Sequence, residues 1–131
     1  MIAKGSFEVT VHEEPPFDTL DGVSLGRAAV DKRFNGPLDG TSKVHMLSTR
    51  TSRPDSAGYV AIERITASLD GRRGSFVVLH NGVMNRGQMS LTLTIVPDSG
   101  TGDLKEIAGT MSIQIVERQH YYELDYTLGS A

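Results

Sequence analysis

The sequence predicts an all-β fold, namely one eight-stranded, mostly antiparallel β-barrel with at most one short helical turn. Short runs in which apolar and polar residues alternate recur along the chain, as they do in half-buried strands. Glycine, proline and aspartate, which favour turns, separate these runs. No long window has helical periodicity. Because a sheet of such strands would otherwise leave unpaired edges, we expect it to close on itself.

The first strand is expected at Ser6–His12, where strict alternation turns three apolar residues inward: Phe7, Val9 and Val11. The pair Pro15-Pro16 ends this strand, because proline donates no ladder hydrogen bond. A second strand is expected at Leu25–Phe34. Its apolar phase would also take Lys32 inward, where the ammonium would need a partner such as Glu63. An outward or rim position is therefore expected for Lys32.

Four further strands are predicted in the middle of the chain, where apolar and polar residues alternate most regularly. They are expected at Ser42–Thr49, Tyr59–Leu69, Gly74–Gly82 and Gln88–Val96. The segments Asp70-Gly71 and Asn85-Arg86-Gly87 lie between the last three of these strands. Both are typical of tight hairpin turns, so these three strands should be neighbours in the sheet.

The hairpin at Asp70-Gly71 determines which side chains share a face. Paired residues of an antiparallel hairpin lie on one face, and their positions have a constant sum. A loop of two residues and a loop of four both turn Glu63 and His80 to the apolar side of their strands. With four residues the two side chains are directly opposite, and with two they are diagonal neighbours. We therefore expect a carboxylate and an imidazole side by side in the barrel interior.

The last part of the chain predicts a helical turn followed by two strands. Leu104 and Ile107 are three positions apart, as one turn packed under an end of the barrel requires. Thr110–Val116 alternates and should form the next strand. The final strand is expected to turn four residues inward: Tyr122, Leu124, Tyr126 and Leu128.

Composition excludes several classes of protein. The 131 residues are expected to form one domain, 1–131, that can bury a sizeable core. With 13 basic and 16 acidic residues the net charge is −3, which argues against nucleic acid as a partner. The absence of cysteine excludes disulfides, thiol nucleophiles and cysteine-ligated zinc. No apolar run approaches a membrane span and no leader is recognisable, so no membrane partner and a cytoplasmic location are expected.

Glu63 and His80 are the candidate catalytic residues. Desolvation inside the barrel would raise the pKa of a carboxyl group and suit Glu63 to general acid or base catalysis. The alternative is a structural Glu63 whose hydrogen bonds hold the strands in register. A neighbouring carboxylate would fix the tautomer of His80 and raise its basicity. The alternative for His80 is an inert histidine of the core.

Aromatic and flexible apolar residues on the inner face are the candidate ligand contacts. The set predicted to bind a ligand is Tyr59, Phe76, Met89, Leu91, Tyr122 and Tyr126. No metal site is expected, because Glu63 and His80 would need a third convergent ligand. No cofactor is expected either, since Gly100-Thr101-Gly102 lacks the lysine and the long helix of a phosphate-binding loop.

Several segments resemble a family of small bacterial proteins catalogued as a domain of unknown function. They cover most of the chain: Gly26–Gly40, Glu63–Val77, His80 with Gly82, and Val96–Leu104. That family is grouped with the allene oxide cyclase-like and dirigent-like β-barrels. Gly100-Thr101-Gly102-Asp103-Leu104 with Gly109 is similar to the turn Gly-Thr-Gly-x-aromatic…Gly of those barrels, although Leu104 replaces the aromatic residue. The resemblance implies an eight-stranded barrel, ligand handling in its lumen and oligomers, but no particular substrate.

Three functions are compatible with these features. The leading hypothesis is a barrel that binds a small apolar or amphipathic molecule, which Glu63 and His80 orient. The second is an isomerase or cyclase that uses Glu63 as acid or base on an apolar substrate. The third is a filled barrel that acts as an interaction module through its outer surface. The resemblance leads us to expect a homo-oligomer, dimer or trimer. Four outward apolar residues support a buried outer face or a subunit contact: Val60, Ile62, Val77 and Leu79.

Overall fold

Eight antiparallel strands close into a barrel in the computed structural model, which describes residues 1–129. A short ninth strand extends the first hairpin, and the described residues contain no helix beyond a single 3-10 turn at Gly102–Leu104. The strands are β1 Ile2–Glu13, β2 Asp18–Leu20, β3 Val23–Asn35, β4 Leu38–Arg50, β5 Ala57–Leu69, β6 Arg72–Asn85, β7 Gln88–Ile95, β8 Ala108–Val116 and β9 Gln119–Thr127. The predicted fold class is confirmed, and several strands are longer than the sequence pattern indicated.

The barrel is a meander in which each of its strands pairs with the next one along the chain. β1 closes it by pairing with β3 on one side and with β9 on the other. β2 is a continuation of β1 beyond the prolines, since it pairs with the start of β3 where β1 has ended. The prolines therefore bend the first hairpin without ending it.

Two-residue turns set the register of the sheet. At Asp70-Gly71 both φ angles are positive, 48° and 85°, and Leu69 pairs with Arg72. This is the left-handed turn that matches the twist of the flanking strands, and glycine adopts it without a steric penalty. The two-residue alternative is therefore the one that occurs. It pairs Glu63 with Val78 and Ala61 with His80, so Glu63 and His80 are diagonal neighbours.

The two ends of the barrel differ in packing. At one end, called the closed end, lie the turns at 35–38 and 69–72 and the segment 95–108. The interior there is filled, and Leu104 and Ile107 pack beneath it as predicted, both almost fully buried. At the opposite end, called the open end, lie the turns at 50–57, 85–88 and 116–119. The interior there is lined by smaller and more flexible side chains.

Aromatic rings occupy the centre of the closed end. The ring centroids of Phe7 and Phe34 are 5.4 Å apart, and those of Phe34 and Tyr122 are 5.6 Å apart in an edge-on contact. Both distances lie in the range of favourable aromatic contacts, the first pair being tilted and the second edge-on. The hydroxyl of Tyr122 accepts a hydrogen bond from the Leu38 amide at 3.0 Å and so ties β9 to the β3–β4 turn. This half of the lumen is a packed core.

Candidate functional site

Four polar side chains are buried inside the barrel and touch one another. They form what we call the buried cluster: Lys32, Ser42, Glu63 and His80. Glu63 has no solvent-exposed surface, and the other three are at most 8% exposed. Charged side chains are almost never buried to this extent unless they are paired. Each of these side chains therefore needs hydrogen-bond partners inside the barrel.

Strand alternation brings these residues together. Lys32 pairs with Ser42 across β3 and β4, and the even phase of β3 that carries Val30 and Phe34 also carries Lys32. Glu63 and His80 face inward from β5 and β6, as predicted. The expectation of an outward or rim position for Lys32 was wrong. Its phase was readable, but the partners that stabilise a buried ammonium come from other strands.

Glu63 is the centre of the cluster. Its Oε1 accepts hydrogen bonds from Lys32 Nζ at 3.3 Å and from His80 Nε2 at 2.7 Å. Its Oε2 accepts one from the Ser42 hydroxyl at 2.5 Å. The Lys32 ammonium also lies 4.8 Å from the centroid of the Phe7 ring, a distance typical of cation–π contacts. Every buried polar side-chain atom among the described residues has a partner.

These contacts determine the charge on Glu63. Burial raises the pKa of its carboxyl group, but the hydrogen bond from His80, the charge of Lys32 and the hydroxyl of Ser42 lower it. The net pKa lies below the usual value. The prediction of a raised pKa was therefore wrong, because it counted desolvation and omitted Lys32 and Ser42. At neutral pH Glu63 is a carboxylate that neutralises Lys32.

An ionised Glu63 also sets the tautomer of His80. A carboxylate only accepts hydrogen bonds, so His80 Nε2 must carry the proton that it donates. In the neutral imidazole Nδ1 is then an acceptor, and Tyr59 Oη lies 3.3 Å from it. Burial, and secondarily the charge of Glu63, raise the pKa of Tyr59, so its hydroxyl stays protonated at neutral pH and donates to Nδ1. Its lone pairs remain for another donor.

Tyr59 connects the buried cluster to a cavity at the open end. This cavity has a volume of about 230 Å³. Its apolar lining comes from Val11, Ala28, Val30, Met46, Ala57, Met84 and Met89, with Tyr59 and Gly82 at the side of the cluster. At its rim, Arg50 Nη2 lies 2.9 Å from Glu13 Oε1 in an exposed ion pair. The lumen is thus filled at one end and open at the other, with the polar cluster at the boundary.

The structure brings only some of the predicted ligand contacts to this cavity. Tyr59 and Met89 line it, and Met89 is at the rim with 60% of its surface exposed. Phe76 and Tyr122 are buried in the core of the closed end, and Leu91 packs against that core. Tyr126 is also there and donates its hydroxyl to Asp70; burial and this bond raise its pKa to about 12. Alternation predicted the face of each residue but not its depth.

Lys32 and Ser42 are the cluster members that sequence reasoning did not assign to a site. Ser42 shares its inward phase with Leu38 and Val44 on β4, a signal that was available. Among residues 1–129, no group of three or more His, Asp or Glu side chains is placed to hold a metal ion. Over the same residues, no helix is long and apolar enough to cross a bilayer.

The chain matches a protein family that has no established activity. Residues 3–126 match the model of a family described as "Protein of unknown function (DUF3224)". The chain is similar to a crystal structure of a DUF3224-family protein of unknown function from Shewanella oneidensis MR-1. Their sequences are 42% identical, the match covers 99% of this chain and 98% of that one, and the TM-score is 0.94. No curated protein matches the chain.

Proposed function

The chain belongs to the DUF3224 family, as its resemblance predicted, and we propose that it binds one small, largely apolar molecule at the open end of its barrel. One observation carries this proposal. The same inner face is packed solid at the closed end and lines a cavity of about 230 Å³ that opens to solvent at the open end. A barrel that needed only a core would gain stability by filling both ends.

The lining of the cavity indicates the size and polarity of the ligand. Pockets for drug-sized ligands are usually roughly 300–1,000 Å³, so the occupant here is smaller. Three methionines, Met46, Met84 and Met89, supply flexible apolar contacts that adapt to different shapes. The occupant is therefore a compact molecule with an apolar body.

Tyr59 indicates the polar group of that ligand. Its proton is directed to His80 Nδ1, so the oxygen faces the cavity as an acceptor. A complementary ligand carries a hydrogen-bond donor, such as an alcohol, a phenol or an amine. Glu63 and His80 do not line the cavity, so they orient Tyr59 and not the ligand directly.

Native mass spectrometry and solvent extraction of the purified chain test this proposal. We expect a small molecule that co-purifies with the wild-type chain. A phenol or alcohol added to the extracted protein should rebind and shift the amide signals of cavity residues. The proposal would be contradicted if no small molecule co-purified and no added phenol or alcohol bound to the extracted protein.

Two adjacent alanines provide a matched control. Ala28 lines the cavity, whereas Ala29 has the opposite phase on the same strand and pairs with His12 and His45. Ala28→Phe should fill the cavity and abolish binding, and Ala29→Phe adds the same ring outside it and should leave binding unchanged. Equal loss in both variants would point to a general effect on the fold.

The contacts that support binding also favour a second function, proton transfer in an isomerase or cyclase. This function is favoured by a continuous chain of hydrogen bonds that leads inward from the cavity. Tyr59 Oη lies 3.3 Å from His80 Nδ1, and His80 Nε2 lies 2.7 Å from Glu63 Oε1. In this function Tyr59 Oη would take a proton from a ligand carbon while its own proton passes to His80 Nδ1 and Glu63 stabilises the imidazolium. The reverse transfers would return a proton to a carbon of the ligand. Bound ligand incubated with the protein in D₂O would then gain deuterium at carbon, and His80→Asn would abolish the exchange. Binding without exchange would leave only the first function.

We also propose that the outer wall of the open end contacts a second copy of the chain. Val60, Ile62 and Leu79 lie on this wall, each about half exposed: 52%, 49% and 48%. Ile62 and Leu79 are paired across β5 and β6, so they form a continuous apolar surface with Val60. Native mass spectrometry should give a dimer or trimer, and Ile62→Glu should return a monomer. A monomeric wild-type chain would contradict this.

A further inference from the structure

The outer wall near the closed end has a different character from the apolar wall of the open end. Toward the closed end, the outward positions of β4, β5 and β6 change from apolar to mostly basic and hydroxylated, with one carboxylate, Asp39. This surface forms a groove of about 810 Å³ between the β3–β4 hairpin and the segment before β8. We call it the basic groove, and its polar lining includes Arg33, Thr41, Arg64, Thr66, Arg73 and Ser75.

A row of hydroxyl groups crosses the floor of the basic groove. Thr41 pairs with Thr66, and Thr66 pairs with Ser75. Ser75 Oγ in turn lies 2.8 Å from Thr101 Oγ1, at the edge of the groove. Residues paired across neighbouring strands bring their side chains within about 5.5 Å on one face. The row can therefore present several donors to one ligand.

Residues 1–129 neutralise only part of the positive charge of the groove. Arg33 forms an ion pair with Asp39 at 2.7 Å and is thereby held at the rim. No carboxylate of residues 1–129 pairs with Arg64 or Arg73. Lys43 stands directly opposite Arg64 across β4 and β5, an arrangement of like charges that destabilises a sheet. The chain as a whole carries a net charge of −3, so this local excess is not a consequence of composition.

We propose that the basic groove binds a phosphate or sulfate group of a ligand. Guanidinium groups bind tetrahedral oxyanions through paired N–H donors, and hydroxyls complete the coordination of their oxygens. A bound dianion would supply a counter-charge to Arg64, which stands opposite Lys43 in the sheet. The site is separate from the cavity, because its residues face outward from the same strands.

Titration of the ¹⁵N-labelled full chain with inorganic phosphate tests this proposal. Sodium chloride keeps the ionic strength constant, so that screening alone produces no change. We expect saturable shifts confined to the amides around Thr41, Thr66 and Ser75, and the same pattern with sulfate. In the double variant Arg64→Gln and Arg73→Gln the affinity should fall by about tenfold or more. All these residues are exposed or half-buried, and the spectrum itself reports whether the variant is folded.

Arg118→Gln is a control outside the groove, because it removes a positive charge from the β8–β9 turn at the open end. Its affinity for phosphate should equal that of the wild-type chain.

A second titration with phosphatidylglycerol vesicles distinguishes a lipid headgroup from a soluble phosphate as the source of the group. Absence of saturable shifts, or equal affinity in the double variant and the wild-type chain, would overturn the proposal.

Discussion

The two ends of the barrel are built from the same strands but have opposite interiors. On β6 the inward residues are Phe76 and Val78 toward the closed end, then Gly82 and Met84 toward the open end. The alternation is the same along the whole strand. What changes is how completely the side chains fill the lumen. One continuous inner face thus forms a packed core at one end and lines a cavity at the other.

The buried cluster lies where the two interiors meet. Glu63 lies on β5, between Ile65 toward the closed end and Ala61 toward the open end. A buried ion pair is weak evidence for stability, because desolvation offsets much of its attraction. In the proposed function, the cluster orients the Tyr59 hydroxyl at the cavity.

The largest difference between the ends should appear when large side chains are truncated. Phe34→Ala removes a fully buried ring from the closed end and should lower the free energy of unfolding by about 3–5 kcal/mol. Met46→Ala removes a partly buried side chain beside the cavity and should cost about 1 kcal/mol. Urea denaturation monitored by far-UV circular dichroism measures both. Equal losses would mean that the open end is packed as tightly as the closed end.

The next largest effect is expected at the boundary. Glu63→Gln leaves the buried Lys32 ammonium without its counter-charge and should lower the free energy of unfolding by about 3 kcal/mol. Adding Lys32→Met removes that charge, and the double variant should recover a large part of the loss. The same denaturation experiment applies. If the double variant were less stable than Glu63→Gln alone, the two side chains would not be coupled as the structure indicates.

Two tyrosines allow one chemical change to be compared at both ends. Tyr122→Phe leaves the buried Leu38 amide without its 3.0 Å acceptor and should cost about 1–3 kcal/mol. Tyr59→Phe should cost about 1 kcal/mol or less, because water from the cavity can reach His80 Nδ1 in place of the hydroxyl. Tyr59→Phe should nevertheless weaken ligand binding, whereas Tyr122→Phe should not. The reverse order of stability would contradict the distinction between the two ends.

The smallest effect is expected in the pH dependence of stability. The pKa of Glu63 is lower in the folded chain than its usual value of 4.5. The ionised Glu63 carboxylate therefore contributes its full stabilisation of the fold above pH 4.5. This contribution is lost as the pH falls through the lowered pKa, and the free energy of unfolding then changes by at most about 1.4 kcal/mol per pH unit. Acid denaturation of Glu63→Gln should have a shallower slope than that of the wild-type chain. Identical slopes would mean that the Glu63 pKa does not change on folding.

Much of the fold could be predicted because it depends on local rules. Alternation along β5 and β6, and the turn at Asp70-Gly71, were enough to predict that Glu63 and His80 face the same interior. The site itself was only partly predicted. The pKa of Glu63 depends on Lys32 and Ser42, which lie 31 and 21 positions away along the chain, and strand pairing brings them to it.

The sequence by itself determined the strands, the tight turns and the inward phase of the polar pair, because each follows from neighbouring residues and the period of two. The tertiary structure alone decided that Lys32 is buried, that Tyr122 and Tyr126 belong to a core, and that Tyr59 faces a cavity. The physical reason is that depth in a barrel depends on which side chains meet across its lumen. Those contacts exist only after the first strand has closed on the last.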